Sequence, residues 1–269
     1  MVVSCPERFA WLVIPALWAV GACCGSLMQV LLHLRCHAAA PAGRTRNCSP
    51  HLTARTQASA TAYPEAPLPD YCIFILRFLL FAAAHSLFAA NRVKTAIGRL
   101  CHGNPRGYRL AYNLLSLALF GWVMAAYGSS PVLYFAPGIW SLVMYLAQLV
   151  CGVILVDCVR RTGACDFLGF AQLRRGPAER PLLVTSGYYA VVRHPLYLFC
   201  IAFLLLNPVM TAQWLLLTVL SALYFVIGGL VEERRLLEEF GDQYRQYRRR
   251  VPFIIPRWGA AAHAMGGRP

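Results

Sequence analysis

Residues 188–231 read YYAVVRHPLYLFCIAFLLLNPVMTAQWLLLTVLSALYFVIGGLV and hold two apolar runs, Tyr188 to Leu206 and Ala212 to Val231. A short connection, Asn207 to Thr211, separates them. A helix of about 20 residues crosses the hydrocarbon layer of a bilayer, so this stretch reads as a hairpin of two membrane helices. Arg193 and His194 lie at its entry, and Glu232 and Glu233 follow directly at its exit.

The same pattern continues upstream. Phe9 to Leu34 contains no charged residue, and Tyr71 to Ala90, Leu110 to Tyr127 and Ile139 to Val156 are further apolar runs. The whole chain of 269 residues is 58% hydrophobic and 13% charged, with a mean hydropathy of +0.52. A water-soluble domain of that length would need far more charge to cover its surface. In lipid the backbone must satisfy its own hydrogen bonds, and runs of helical length do so internally. The expected fold is an all-α, polytopic transmembrane helix bundle. It has five core helices, an N-terminal hydrophobic helix and a cytoplasmic amphipathic C-terminal helix.

The net charge of +14 is a matter of placement rather than of nucleic-acid binding. Arg92, Lys94, Arg99, Arg106 and Arg109 fill one connection, Arg160, Arg161, Arg174, Arg175 and Arg180 another, and eight arginines follow Val231. The alternate connections, Gly128 to Gly138 and Asn207 to Thr211, carry neither Lys nor Arg. The positive-inside rule then puts the basic loops and the C-terminus in the cytoplasm, at what would be a bacterial inner membrane. The expected partners are the bilayer, with anionic lipid at the basic loops, and no nucleic acid. The cysteines number eleven, several of them inside apolar runs (Cys23, Cys24, Cys72, Cys151, Cys200), and no CxxC pair or zinc spacing occurs. Neither a metal site nor a disulfide framework is expected.

By organisation, 1–34 is a transmembrane anchor or signal-like segment whose length favours the anchor. Residues 35–70, rich in Ala, Pro, Ser, Thr and Arg, read as a flexible linker, 71–256 as the membrane domain, and 257–269 as a disordered tail. The loop Asp157 to Gly187 carries Asp157, Asp166 and Glu179, the acids between Tyr71 and Val231. It is either a cover for a binding site or an ordinary solvated loop. Beyond Val231, Leu230, Glu233, Leu237, Phe240, Tyr244, Tyr247 and Val251 recur at spacings of three and four, so the last helix should run on as an amphipathic helix until Pro252 and Pro256.

Two constellations carry chemistry. In the first, a helix from Tyr188 to Leu206 would span about 28 Å and hold Arg193 and His194 within the membrane, where ionisable groups are costly and face a cavity. Pro195 would kink that helix and free the carbonyl of Val191. The alternative is that Arg193 snorkels and His194 caps a helix starting at Pro195. Taken with Tyr189 and Tyr197, the group reads as a site. In the second, Glu233 shares an apolar face, so it needs a bound cation or a salt bridge to Arg193 or to a loop arginine, and spacing leaves these equal. Glu232, Glu238 and Glu239 read as solvated residues pairing with arginines along the helix. Arg77 should snorkel, and His85, Ser86 and Asn113 should bond between helices. No GxSxG, Walker loop, HExxH or GxGxxG occurs, which argues against a Rossmann nucleotide site.

GYYAVVRHPLY (Gly187 to Tyr197), followed by an apolar hairpin and EERRLLEEFGDQYRQYRRRVPFIIP (Glu232 to Pro256), resembles the isoprenylcysteine carboxyl methyltransferase family. AAAHSLFAANRVK (Ala82 to Lys94), DFLGFAQL (Asp166 to Leu173) and the NPVMT turn (Asn207 to Thr211) are similar to its bacterial methanethiol S-methyltransferase and denitrification-linked members. The resemblance implies a membrane methyltransferase using S-adenosylmethionine, with the donor part in 182–256 and a small thiol or lipophilic acceptor entering from the bilayer. Carried onto this sequence, it places His194, Pro195, Tyr197 and Glu232 or Glu233 against the donor, with Gly187 and Tyr189 shaping the pocket. The donor is a sulfonium bearing an ammonium and a carboxylate, which suits carboxylate, arginine and aromatic groups together. On that basis Glu233 should bind its ammonium or ribose, Arg193 its carboxylate, and Tyr189, Tyr197 and Tyr244 line the pocket, with His194 orienting donor or acceptor. A membrane reductase using a nicotinamide cofactor, and a non-catalytic membrane protein, are the competing expectations.

Overall fold

The structure, a computed structural model, describes residues 68–100, 107–128, 130–162 and 183–257. The apolar run at Phe9 to Leu34, the linker, most of the Asp157 to Gly187 loop and nearly all of the tail lie outside these residues. The described chain is mostly helical: α1 (Leu68–Ala89), α2 (Asn91–Leu100), α3 (Tyr108–Met124), α4 (Ile139–Arg161), a 3-10 turn (Gly187–Ala190), α5 (Pro195–Leu205) and α6 (Ala212–Arg250). Two short strands, β1 (Val132–Phe135) and β2 (Val209–Thr211), complete it.

Three stretches, Asp70–Ala89, Ile139–Arg161 and Ala212–Arg250, are helices long and apolar enough to cross a membrane. They wear their apolar residues outward. On α1, Phe74, Phe78, Phe81 and His85 are buried at spacings of four, three and four, while Ile73, Leu76, Leu79, Leu80 and Leu87 stand exposed. The pattern is sharper on α3, which buries Arg109, Tyr112, Asn113 and Ser116 and exposes Leu114, Leu115, Leu117 and Trp122. A bundle in lipid gains nothing by hiding leucine from hydrocarbon, so its inner faces hold aromatic and polar groups that bond across helices. His85 meets Ser116, Ser86 meets Tyr224, Gln148 donates to the Phe203 carbonyl and Trp214 to that of Leu204. Arg77, expected to snorkel, donates to the Trp122 carbonyl at 3.0 Å and lies over the Trp122 ring at 5.0 Å, held by the neighbouring helix.

Three sequence expectations are corrected. The described chain is mostly helical as expected, but the two uncharged connections, expected to be plain turns of a helix bundle, pair as an antiparallel β1–β2 ladder, with Val132 opposite Thr211 and Phe135 opposite Val209. Both are short chains of apolar residues, mostly β-branched or aromatic, that must satisfy backbone groups at the bundle's end. The helix expected from Tyr188 to Leu206 is broken. A 3-10 turn ends at Ala190, and α5 begins only at Pro195, with His194 as its N-cap residue. Pro195 therefore makes no kink. It stands in the first turn, where its missing N–H is no loss and its fixed φ suits a helix start. At 11 residues, α5 is about 16 Å long and does not cross a bilayer alone. Thirdly, α6 does continue into the polar segment and stops at Arg250 before Pro252, but it is interrupted at Gly241, whose φ of 51° lies in the region that favours glycine.

Packing then sets the site. α5 lies against α4 and α6, and α1 against α3 and α6. Thr211 caps α6 by accepting the Trp214 N–H at 3.1 Å, which fixes the turn of the hairpin. The hairpin thereby returns Glu232 and Glu233 to the level of Arg193 and His194.

Candidate functional site

The site grows from a backbone clasp. Beyond α6 the chain turns back as Val251 to Pro256, and the carbonyls of Pro252 and Phe253 accept the N–H groups of Arg193 and His194 at 2.9 and 3.1 Å. Both N–H groups precede α5 and have no helical partner. This return segment supplies one, and it covers the side of α6 that a bare amphipathic helix would leave wet.

Under that cover the charged groups meet. Arg193 Nε donates to Glu233 Oε1 at 2.6 Å, and its Nη1 donates to the carbonyls of Arg248 (3.1 Å) and Val251 (2.5 Å). Only 9% of the Arg193 side chain and 5% of the Glu233 side chain are exposed, so the pair is a desolvated one. Such a pair is stable only with further hydrogen bonds to complete it. Glu232 is buried too, and Tyr197 donates to its Oε2 at 3.1 Å. His194 stands between the acids, with Nε2 3.5 Å from Glu233 Oε1 and Nδ1 3.7 Å from Glu232 Oε2. Arg248, exposed, adds a second guanidinium 3.5 Å from Glu233 Oε2.

Aromatic rings form the walls. His194 stacks on Tyr197 (5.2 Å, 8°) and Tyr197 on Phe225 (5.3 Å, 5°), with Phe253 edge-on to His194 at 4.7 Å. Phe253 is seated where Gly229 carries no side chain: a Cβ there would fall 2.8 Å from its Cζ. On the far side, the Tyr247 hydroxyl donates to the Tyr189 carbonyl at 2.6 Å, and Tyr244 packs beside Tyr247.

Of the residues proposed from sequence, His194, Arg193, Glu232, Glu233, Pro195 and Tyr197 come together. Tyr244 is buried beside Tyr247, and Tyr189 is joined to that side through its backbone. Gly187 lies elsewhere. Its φ of 65° forms the turn, and a Cβ at this position would meet Arg161 Nη1 at 3.2 Å. Arg161 lies over Tyr188 and pairs with Asp157. Two corrections concern α6. Glu232, read as solvated, is buried, while Leu230, read as part of the inner face, is 52% exposed and Leu236 is buried instead. Covering by both α5 and the return segment widens the buried arc enough to take two consecutive carboxylates, which one amphipathic stripe cannot do. Gly229 and Phe253 were not singled out from sequence, and Tyr247 was placed on the helical face without a role in the site. The Gly228-Gly229 pair within an apolar run was the available signal for a close approach.

Chemically the cluster suits a polar cation. Among the described residues, its buried formal charges apart from His194 are two carboxylates and one guanidinium. His194 Nε2 and Tyr244 Oη are buried polar atoms with no hydrogen-bond partner among the described residues. Buried polar atoms are nearly always satisfied, so two orphans flanking paired carboxylates fit a guest with both donors and acceptors. Among the described residues, no group of three or more His, Cys, Asp or Glu is gathered as metal ligands would be.

Related proteins share parts of this sequence. The chain is 44% identical over 79 residues to a methanethiol S-methyltransferase 1 of Bradyrhizobium diazoefficiens, covering 29% of this chain and 28% of that protein. It is 27% identical over 182 residues to a methanethiol S-methyltransferase of Crocosphaera subtropica, covering 66% and 71% respectively. Over 78 residues it is 38% identical to a protein-S-isoprenylcysteine O-methyltransferase of Schizosaccharomyces pombe, covering 28% and 33%. The match to the Bradyrhizobium protein thus spans under a third of that protein's length. No solved structure matches. The pattern of the NnrU protein family matches residues 73–265, which takes in α1 to α6 and the whole clasp around Arg193 and Glu233. By that match over most of its length, the chain belongs to the NnrU protein family.

Proposed function

We propose that this protein is an integral membrane methyltransferase that moves a methyl group from S-adenosylmethionine to a small or lipophilic acceptor, a thiol or a cysteine-type carboxylate. The observation that carries this reading is the buried cluster of Glu232, Glu233, Arg193 and His194 with its two orphaned polar atoms. The names of the relatives support it. The donor supplies an electrophilic methyl on sulfur. The chain's own residues bind, orient and exclude water, which is most of what an in-line displacement requires.

In this reading Glu233 and Glu232 receive the donor's ammonium or ribose hydroxyls, and His194 Nε2 and Tyr244 Oη bond to its polar edge. Tyr197, with both ring faces taken by His194 and Phe225, holds the Glu232 carboxylate in place through its hydroxyl. Arg193 holds Glu233 through Nε and two carbonyls through Nη1, and its Nη2, with no hydrogen bond among the described residues, faces the donor's carboxylate. Pro195 sets the start of α5, and Tyr189 and Gly187 shape the turn that leads into it. The donor-binding part is then 182–256 within a membrane domain of 71–256. Five core helices make up the membrane domain, α5 entering it without spanning it alone, with the basic loops, the clasp and the C-terminus on the cytoplasmic side of a bacterial inner membrane, where the donor is available.

Purified protein in nanodiscs should bind S-adenosylmethionine by calorimetry and pass a labelled methyl to a member of a panel of thiols and carboxylates. Glu233→Ala and His194→Ala should each abolish donor binding while the helical circular dichroism persists. Unchanged donor affinity in both variants would reject the assigned roles. Binding of a nicotinamide cofactor in place of the donor would favour a reductase.

A further inference from the structure

Glu233 uses its two oxygens unequally. Oε1 accepts from Arg193 Nε at 2.6 Å and has His194 Nε2 at 3.5 Å. Oε2 makes no hydrogen bond among the described residues, and the cation facing it is Arg248, whose Nε stands 3.5 Å away. That is longer than a good charge-assisted hydrogen bond. The Arg248 side chain is 51% exposed against 5% for Glu233, so a guanidinium on the solvent side rests loosely on a buried carboxylate oxygen.

A break in α6 makes this contact. Glu233 and Arg248 are fifteen residues apart on that element, and a straight helix would separate them by about 22 Å. Gly241, at φ 51° and ψ −122°, interrupts the helix and lets its last turns come back beside Glu233. The same turns carry Tyr244, whose hydroxyl is one of the two orphaned atoms. The Arg248 carbonyl accepts Arg193 Nη1 at 3.1 Å, which pins the backbone here to the clasp and leaves the Arg248 side chain able to turn. Arg193 has no such latitude. Its Nε and Nη1 are committed to Glu233 and to two carbonyls, and Nη2 alone cannot make the two-armed pair that a guanidinium gives a carboxylate.

We propose that Arg248 is the carboxylate-selecting residue of the donor site: an amino-acid head group that lands on Glu233 Oε2 takes over the Arg248 guanidinium, which closes on its carboxylate from the solvent side. This rests on the methyltransferase reading above. An α-amino acid carries its ammonium and carboxylate on one carbon, so an ammonium placed on Oε2 sets the carboxylate within about 4 Å of it. The ammonium displaces Arg248 from Oε2, and the neighbouring carboxylate offers the displaced guanidinium a closer and better-matched acceptor. A ligand with the ammonium and no carboxylate displaces Arg248 without supplying that acceptor. The site thereby distinguishes the zwitterionic end of S-adenosylmethionine from a simple amine.

The test is calorimetry on the full-length protein in nanodiscs with two ligands, S-adenosylmethionine and its decarboxylated form, which keeps the sulfonium and the ammonium. Wild type should prefer the first. In Arg248→Gln the affinity for S-adenosylmethionine should fall about tenfold, while that for the decarboxylated form should rise about twofold because its competitor at Oε2 is gone. The backbone carbonyl that holds Arg193 survives this change, so the helical circular dichroism should persist. Arg249→Gln removes the same charge from an exposed neighbour and should shift neither affinity by more than about twofold, which separates the contact from overall charge. A carboxylate preference that survives in Arg248→Gln, equal changes for both ligands, or the same crossing in Arg249→Gln would overturn the proposal and leave the carboxylate to Arg193 alone. A wild-type protein that binds both ligands equally would overturn it too, with the donor site intact. A wild-type protein that binds neither would instead refute the methyltransferase reading itself.

Discussion

At the scale of single residues, the clasp is governed by the cost of buried charge. Arg193 and Glu233 are each almost fully covered, so removing one leaves the other without its partner in a place that water hardly reaches. Breaking such a pair costs about 3–5 kcal/mol. Arg193→Met should therefore lower stability by roughly that amount in detergent unfolding followed by circular dichroism. The double variant Arg193→Met with Glu233→Met should recover much of the loss, because a well-packed apolar pair replaces the ionic one. No recovery would mean that the carbonyls of Arg248 and Val251, left unbonded, dominate. The Tyr197 hydroxyl is a smaller case. Its single bond goes to the Glu232 carboxylate, and Tyr197→Phe should cost about 1.5–3 kcal/mol while leaving the ring stack with His194 and Phe225 in place. The measurable sign is a lower unfolding midpoint with an unchanged aromatic circular dichroism band. These acids were legible in sequence as a constellation. The pairing of Glu233 with Arg193 was one of the two readings open from sequence, whereas the bonds of Arg193 to the Arg248 and Val251 carbonyls and of Tyr197 to Glu232 were not, because they depend on the path of the return segment and on the packing of α5.

Elements set tolerances that single residues do not reveal. Gly229 of α6 and Phe253 of the return segment meet so closely that Gly229→Ala must displace the ring. Phe253 carries the carbonyl that accepts the His194 N–H, so the displacement reaches the site. Overpacking of this kind costs about 1–3 kcal/mol, and donor affinity should fall along with stability. Gly121→Ala is the contrasting case. A Cβ there meets nothing within 4 Å, so in the middle of a helix it should stabilise by about 0.5–1 kcal/mol. Comparing the two unfolding midpoints separates contact from helix propensity. Pro195 tests the start of α5. As a first-turn residue it should tolerate alanine with a change below about 1 kcal/mol, whereas a kink at mid-helix would make the replacement straighten the chain and reposition His194. The kink expected from sequence came from reading an apolar run as one helix. Hydropathy reports what lipid accepts and says nothing about whether the backbone turns inside the run.

Across the whole molecule, charge asymmetry gives a topology that labelling can check. Gly128 lies in an uncharged connection where a Cβ meets nothing within 4 Å, and Thr185 and Arg245 are exposed at the other end of the chain's basic half. In a background with all eleven native cysteines replaced, Gly128→Cys should react with a membrane-impermeant maleimide in intact cells. Thr185→Cys and Arg245→Cys should react only after permeabilisation, as the positive-inside rule requires. The reverse pattern would put the clasp on the side without S-adenosylmethionine and remove the enzymatic reading.

What the sequence determined by itself was the solvent and the cast. The length of the apolar runs pointed to helices in lipid, and the RHP and EE groups at the two ends of a hairpin pointed to the residues of the candidate site. What only the tertiary structure decided was who faces whom. The uncharged connections became a two-stranded ladder, α5 started at Pro195, Glu232 joined Glu233 in burial, and Phe253 closed over Gly229. The reason is physical. Hydrophobicity and charge are properties of each residue and its immediate neighbours along the chain, so they can be read in order. Burial of a carboxylate or the docking of a ring depends on a segment that returns from elsewhere, and pairings of that kind exist only once the chain has closed on itself.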